Sequence, residues 1–156
     1  METVLVLHNI RSAHNVGSMF RTADGAGVSH IYLSGYTPNH ETPHGKERQQ
    51  FVKVSLGAER SVHSSRADEL VPLLEKLKQD GYIVLAIELD PKATSIFEYT
   101  KKDGEKLAIV MGNEVEGVSQ EVLDLADHVL QIPMRGQKES LNVSVACGVA
   151  LFTLLK

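Results

Sequence analysis

The stretch HVLQIPMRGQKESLNVSVACGVALFTLLK, residues 128–156, reads as a short strand over 128–132, a polar loop over 133–139 and a helix from about residue 141 to the end. The helix is apolar on nearly every side, with Val143, Val145, Val149, Leu151, Phe152 and Leu155 spread around its circumference. A surface helix keeps a polar face, so one this apolar is expected to be covered twice. The sheet would cover one side and a second subunit the other. At the helix opening, Ser140-Leu141-Asn142-Val143-Ser144, polar and apolar residues alternate. Helix capping accounts for one of those three polar side chains but not for all of them.

Upstream of this stretch, strand and helix patterns alternate. Thr3–His8 is a nearly continuous apolar run, the mark of a strand buried on both faces. A polar loop over 9–14 leads to a helix over about 15–26, whose end is marked by Gly25 and Gly27. His30–Ser34 reads as a second strand, and 35–44 as a long surface loop of the kind that carries function. A brief strand over 61–65 precedes a helix over 68–79 with a Leu70, Leu73, Leu74, Leu77 stripe; Pro72 lies in its tolerant first turn. Strands over 82–89 and Lys106–Met111 follow, then a helix over about 119–126. Such alternation predicts an α/β fold with a mainly parallel sheet.

The chain has 156 residues, 42% apolar and 23% charged, which suits one globular domain over 1–156. No run is long enough to span a bilayer and the start lacks the basic region of a signal peptide, so a cytoplasmic protein is expected. The single cysteine, Cys147, lies in the apolar C-terminal helix and reads as a small buried hydrophobe. Net charge is −4, distributed as +2 over residues 1–66 and −6 over 67–156, and six of the seven histidines fall in the first part. The front of the molecule is therefore suited to local phosphate contacts on an otherwise acidic body. The histidines show no metal-ligand spacing, and no metal is expected.

Three loops that follow strands carry polar residues without an evident structural task, and in parallel sheets such loops build the ligand site. In the first, Asn9, Arg11 and Asn15 gather at a helix N-terminus, where free amides favour an anion. In the following helix Val16, Met19, Phe20 and Ala23 form the inward stripe, and Arg21 lies roughly 140° from Val16 at ~100° per residue. It faces solvent, a partner or a ligand. The second loop, Gly112-Asn113-Glu114-Val115-Glu116-Gly117-Val118, has nearly the spacing of a phosphate-binding loop. Val118 replaces the required lysine, however, and Glu114 and Glu116 would repel phosphate, so an NTPase is not expected. The two glutamates also suit a helix N-terminus simply as dipole partners. In the third loop, residues 132–144, backbone groups meet Ile132, Met134 and Leu141 together with amides and hydroxyls. That mixture suits a flat neutral heterocycle with a polar tail better than a polyphosphate.

Taken in order, N-x-x-x-x-x-R-T-A from Asn15 to Ala23, G-x-E-x-x-G from Gly112 to Gly117 and I-P-M-x-G-x-x-x-S-L-N-V-S-x-A from Ile132 to Ala146 resemble the SpoU/TrmH family of SPOUT-class RNA methyltransferases. The intervening Lys53-Val54-Ser55-Leu56-Gly57-Ala58-Glu59 is similar as well, and the resemblance covers almost the whole chain. It implies a parallel sheet with helices on both faces, a deep C-terminal trefoil knot, a homodimer joined through the last helix and S-adenosylmethionine as cofactor. The knot is a feature that ordinary connection rules would not predict.

By motif position, the cofactor would be held by Gly112, Asn113, Ile132, Met134, Ser140, Leu141 and Asn142. The implied catalytic set is Arg21, Asn15, Glu114, Ser140 and Asn142. The reaction would be methyl transfer to a ribose 2′-hydroxyl of RNA, with tRNA favoured over rRNA. RNA contacts would come from Arg11, Arg21, Lys46, Arg48 and Lys53. Arg21 is expected to hold phosphate and stabilise a developing alkoxide, since a guanidinium with a pKa above about 12 is a poor base. A non-catalytic RNA-binding module of the same fold, or a small-molecule methyltransferase, are the competing readings. Retention of Asn15, Arg21, Glu114, Ser140 and Asn142 together weighs against the first of these, and the cationic front half against the second.

Overall fold

Seven short strands, β1 (Thr3–His8), β2 (His30–Ser34), β3 (His63–Ala67), β4 (Tyr82–Ile87), β5 (Thr94–Ser95), β6 (Lys106–Met111) and β7 (His128–Gln131), form one sheet in the order β3-β2-β1-β6-β4-β7-β5. Every pairing is parallel. The computed structural model describes residues 2–156. β1, β6 and β4 are central and buried almost throughout, as the unbroken apolar runs require.

The strand period of two sends alternate residues to opposite faces. Leu5, Leu7, Leu85, Ile109 and Met111 meet helices α1 (Ala13–Ala26), α2 (Gln49–Ser55) and α6 (Val143–Leu154) on one side. Val4, Val6, Val84, Ala108 and Val110 meet α4 (Leu70–Gln79) and α5 (Gln120–Leu125) on the other. Helices on both faces of a parallel sheet are therefore present as expected. The stripe Val16, Met19, Phe20, Ala23 is fully buried, and Leu70, Leu73, Leu74 and Leu77 are the buried residues of α4.

Several boundaries differ from the sequence reading. α1 starts at Ala13 because the Ser12 hydroxyl accepts from the Asn15 amide and caps the helix earlier, which places Asn15 inside the first turn. α6 starts at Val143, since Asn142 caps it by accepting from the Ser144 amide at 2.9 Å; Leu141 stands outside the helix. β4 ends at Ile87, and the brief third strand lies at His63–Ala67. α2, the single turn α3 (Ala58–Ser61) and β5 were not apparent in the sequence. α2 packs closely on α1: a Cβ at Gly17 would stand 2.4 Å from the Phe51 carbonyl oxygen. Tertiary contact rather than local propensity creates that helix.

α6 buries Val143, Cys147, Ala150, Leu151 and Leu154 but leaves Val145 and Phe152 more than half exposed. No helix among the described residues is long and apolar enough to cross a membrane.

Candidate active site

All the strands point the same way, so the loops after β1, β2, β4, β6 and β7 meet at one edge of the sheet. The loop after β6 is built first by its own residues. The Asn113 carbonyl accepts from the Gly117 amide at 2.9 Å, and the Asn113 side-chain oxygen accepts from the Val115 and Glu116 amides at 2.9 and 2.8 Å. Gly117 takes φ +66°, and a Cβ there would fall 2.0 Å from Oε2 of Glu88. Glu88, just beyond β4, accepts from the Val118 amide at 3.0 Å and ties this loop to its own.

The same loop then fixes the start of α1. The Glu114 carboxylate accepts from the backbone amides of Arg11 and Ser12 at 3.1 and 3.3 Å. Asn113 Nδ2 donates to the Asn9 carbonyl oxygen and to the Tyr36 hydroxyl, each at 2.8 Å. The sequence suggested free amides here, ready for an external anion. Instead the chain supplies that anion itself, through Glu114, so this helix start is not an open phosphate site. Burial lowers the pKa of His8, at the end of β1, below its ordinary 6.5, and its Nδ1 lies 2.9 Å from the Ser34 hydroxyl.

One pocket opens beside this junction. Its walls come from the ends of β4, β6 and β7 and from the approach to α6. Gly112, Asn113, Glu114, Ile132, Met134, Ser140 and Leu141 all line it, which unites the second and third sequence constellations. Asn142 does not line the pocket but caps α6 immediately behind it. Glu88, Leu89, Gln131 and Glu139 also line it and were not singled out in the sequence. The rule that sites form beyond strand ends would have found Glu88 and Leu89 after β4. Gly112 is required by packing: a Cβ would stand 2.6 Å from Gly117 C and from Val118 Cγ1.

No lysine or arginine lines the pocket, whereas Glu88, Glu114 and Glu139 do. Apolar walls of Ile87, Leu89, Ile132, Met134 and Leu141 with an acidic rim suit an aromatic heterocycle carrying positive charge, and oppose a polyphosphate.

Asn15 and Arg21 are not among its lining residues. Asn15 sits half-buried in the first turn of α1, and Arg21 is exposed almost two turns further on. Arg21 lines a separate hollow with Ser18, Thr22, Gly25, Lys53, Val54 and Phe152. Within one chain the first constellation is therefore divided. Of the residues expected to meet RNA, Arg11, Arg21, Lys46 and Lys53 are exposed. Arg48 is half-buried at the start of α2, with a buried Nε that has no hydrogen-bond partner among the described residues. Among the described residues no cluster of His, Cys, Asp and Glu could hold a metal.

The family model described as the SpoU rRNA Methylase family matches residues 2–152. A tRNA (guanosine(18)-2'-O)-methyltransferase of Aquifex aeolicus is 31% identical over 153 residues, covering 97% of this chain and 67% of that protein. The crystal structure of an AdoMet-bound rRNA methyltransferase from Sinorhizobium meliloti superposes with a TM-score of 0.85 at 28% identity, over 97% of this chain and 55% of that one. A structure concerning the 2-OH methylation of C/U34 on tRNA gives a TM-score of 0.79 at 28% identity, over 97% of this chain and 92% of that chain. This chain spans 58–59% of the length of other curated relatives. Fold, motif order and these likenesses agree: the chain belongs to the SpoU/TrmH family of RNA methyltransferases.

Proposed function

We propose that this chain transfers a methyl group from S-adenosylmethionine to a ribose 2′-hydroxyl of RNA, with tRNA the favoured substrate. The observation that carries the reading is the single pocket in which Gly112, Asn113 and Glu114 meet Ile132, Met134, Ser140 and Leu141. The apolar walls and backbone groups of this pocket fit the adenosine of the cofactor, and its acidic rim fits the positive charge. When bound, the cofactor supplies a methyl group on a sulfonium, a strong electrophile. Balance then requires the 2′-oxygen to gain the methyl, the sulfonium to leave as a neutral thioether and the hydroxyl proton to pass to phosphate or water.

The pocket residues have distinct tasks in this reading. Ile132, Met134 and Leu141 exclude water from the reacting atoms. Asn142 fixes the entry to α6 and with it the position of Ser140. Glu114 holds the Arg11–Ser12 backbone and thereby registers α1 against the pocket. Arg21, with Lys53 beside it, holds RNA phosphate and stabilises the developing alkoxide.

We further propose that the C-terminal segment forms a deep trefoil knot and that a two-fold dimer forms on the stripe of exposed Val145, half-buried Val149 and exposed Phe152. The stripe repeats at i, i+4 and i+7, along one side of the helix. Phe152 at the far end of α6 borders the Arg21 hollow, whereas Val143 and Ala146 at its beginning border the pocket. Antiparallel packing of two copies of α6 brings one end against the other, so Arg21 of one protomer faces the pocket of its partner. This arrangement reunites the divided constellation.

The direct test is transfer from labelled S-adenosylmethionine to unmodified total RNA, followed by nuclease and alkaline digestion. Label is expected in an alkali-resistant dinucleotide. The Arg21→Ala variant should lose roughly 100-fold or more in rate while keeping cofactor affinity. Arg21→Lys should recover little of it, because a lysine lacks the planar two-point grip. Cofactor binding without transfer to any RNA would falsify the assignment.

A further inference from the structure

Behind β2 the chain turns through Gly35, Tyr36 and Thr37, and this turn is held more firmly than a surface loop requires. The Asn9 side-chain oxygen accepts from the Tyr36 amide at 3.2 Å. The Thr37 hydroxyl accepts from the Ile10 amide at 3.1 Å and lies 2.8 Å from the Leu7 carbonyl oxygen, to which it can donate. Gly35 takes φ +61°, where a Cβ would stand 1.8 Å from the Asn9 side-chain oxygen. Arg66 reaches from the end of β3, donating through Nη1 to the Gly35 carbonyl at 2.8 Å and through Nη2 to the Thr37 carbonyl. The cation thus grips the residues on either side of Tyr36.

Tyr36 itself crosses the end of β1. Its backbone is tied to Asn9 after β1, and its hydroxyl accepts from Asn113 Nδ2 after β6. Both ends of the side chain are pinned, yet the residue remains 55% exposed. A tyrosine with its polar tip satisfied gains by burying its ring. Here the ring is instead held rigidly in water, one residue from the pocket-lining Gly112 through Asn113 and beside the exposed Arg66. A rigid aromatic face next to a cation is the arrangement that binds an unstacked base together with its phosphate.

We infer that Tyr36 is a base-stacking residue that receives an unpaired nucleobase beside the ribose to be methylated, with the remaining Arg66 donors on the adjoining phosphate. This inference rests on the RNA methyltransferase reading above. It adds a requirement that the target lie in a single-stranded loop or be unstacked on binding, because a base inside a duplex has no free face.

The experiment compares the full-length wild type with Tyr36→Leu, Tyr36→Phe and Arg66→Gln, using the RNA identified by labelling. Tyr36→Leu should raise the KM for RNA by about 10- to 100-fold, the range for one lost stacking contact, with cofactor Kd and Tm little changed. Tyr36→Phe keeps the ring and should stay within about threefold of wild type. Arg66→Gln should raise KM and flatten its salt dependence. The chain contains no tryptophan, so Tyr36→Trp gives a single reporter whose emission should be quenched by RNA and not by S-adenosylmethionine. A folded Tyr36→Leu variant with wild-type KM, or unquenched emission with RNA bound, overturns the inference. If the wild type methylates no RNA, the enzymatic reading fails, whereas the quenching measurement still decides whether a base stacks on this residue.

Discussion

Gly117 shows how much of the pocket hangs on one backbone angle. Its φ of +66° costs a side-chain-bearing residue roughly 1–2 kcal/mol. An added methyl would also drive Glu88 from the Val118 amide that it accepts at 3.0 Å. Gly117→Ala is expected to lower stability by about 2 kcal/mol, near 4–8 °C in Tm for a domain of this size. Because Glu88 lines the pocket, cofactor affinity should fall with it, measurable by titration calorimetry. A variant with unchanged Tm and unchanged affinity would show that the loop reshapes without loss. Cys147 illustrates the opposite case: burial pushes its thiol up to about 12, consistent with a packing role.

Among the elements, α2 and α3 are the pair that the chain must hold by tertiary means. Glu59 on α3 is almost fully covered, with only 4% of its side chain exposed, and its carboxylate accepts from the Ser55 hydroxyl on α2 at 2.5 Å. Burial works to raise its pKa, but the Ser55 hydroxyl, its own backbone amide, Arg60 and His40 outweigh that and leave it below the ordinary 4.5. A carboxyl with a depressed folded pKa contributes stability above its unfolded value and loses it as pH falls through the folded one. Wild type should therefore exceed Glu59→Gln in Tm at pH 7, and the gap should close progressively below about pH 4.5. Parallel melting curves across pH 3–7 check this, and a gap that persists at the acid end would contradict it.

At the scale of the molecule, the divided constellation makes a quantitative statement about assembly. If α6 packs on α6, Phe152→Glu should convert a dimer to monomers in sedimentation and abolish transfer, although Phe152 does not line the pocket. Subunit mixing gives a sharper result. Arg21→Ala and Asn142→Ala should each be inactive alone, yet their mixture should regain about a quarter of wild-type activity, since half the dimers are mixed and each holds one intact site. No recovery on mixing would place Arg21 and the pocket within one chain.

The sequence alone determined the layered parallel architecture, because fully buried strands leave continuous apolar runs such as Thr3–His8 and one-sided helices leave stripes such as Val16, Met19, Phe20 and Ala23. It also marked the pocket, since Gly112, Ile132, Met134 and Leu141 stand in motifs whose spacing survives in a linear reading. Tertiary structure decided what depends on partners distant in sequence. Glu114 fills the start of α1 across 103 residues, Glu88 enters the pocket from β4, and Tyr36 is pinned by Asn9 and Asn113. α2 was invisible for the same reason, as its helicity comes from α1 pressing against it at Gly17. Periodicity records which face of an element is buried. It carries no record of which carboxylate, hydroxyl or ring will meet it from another strand, and those meetings made the site.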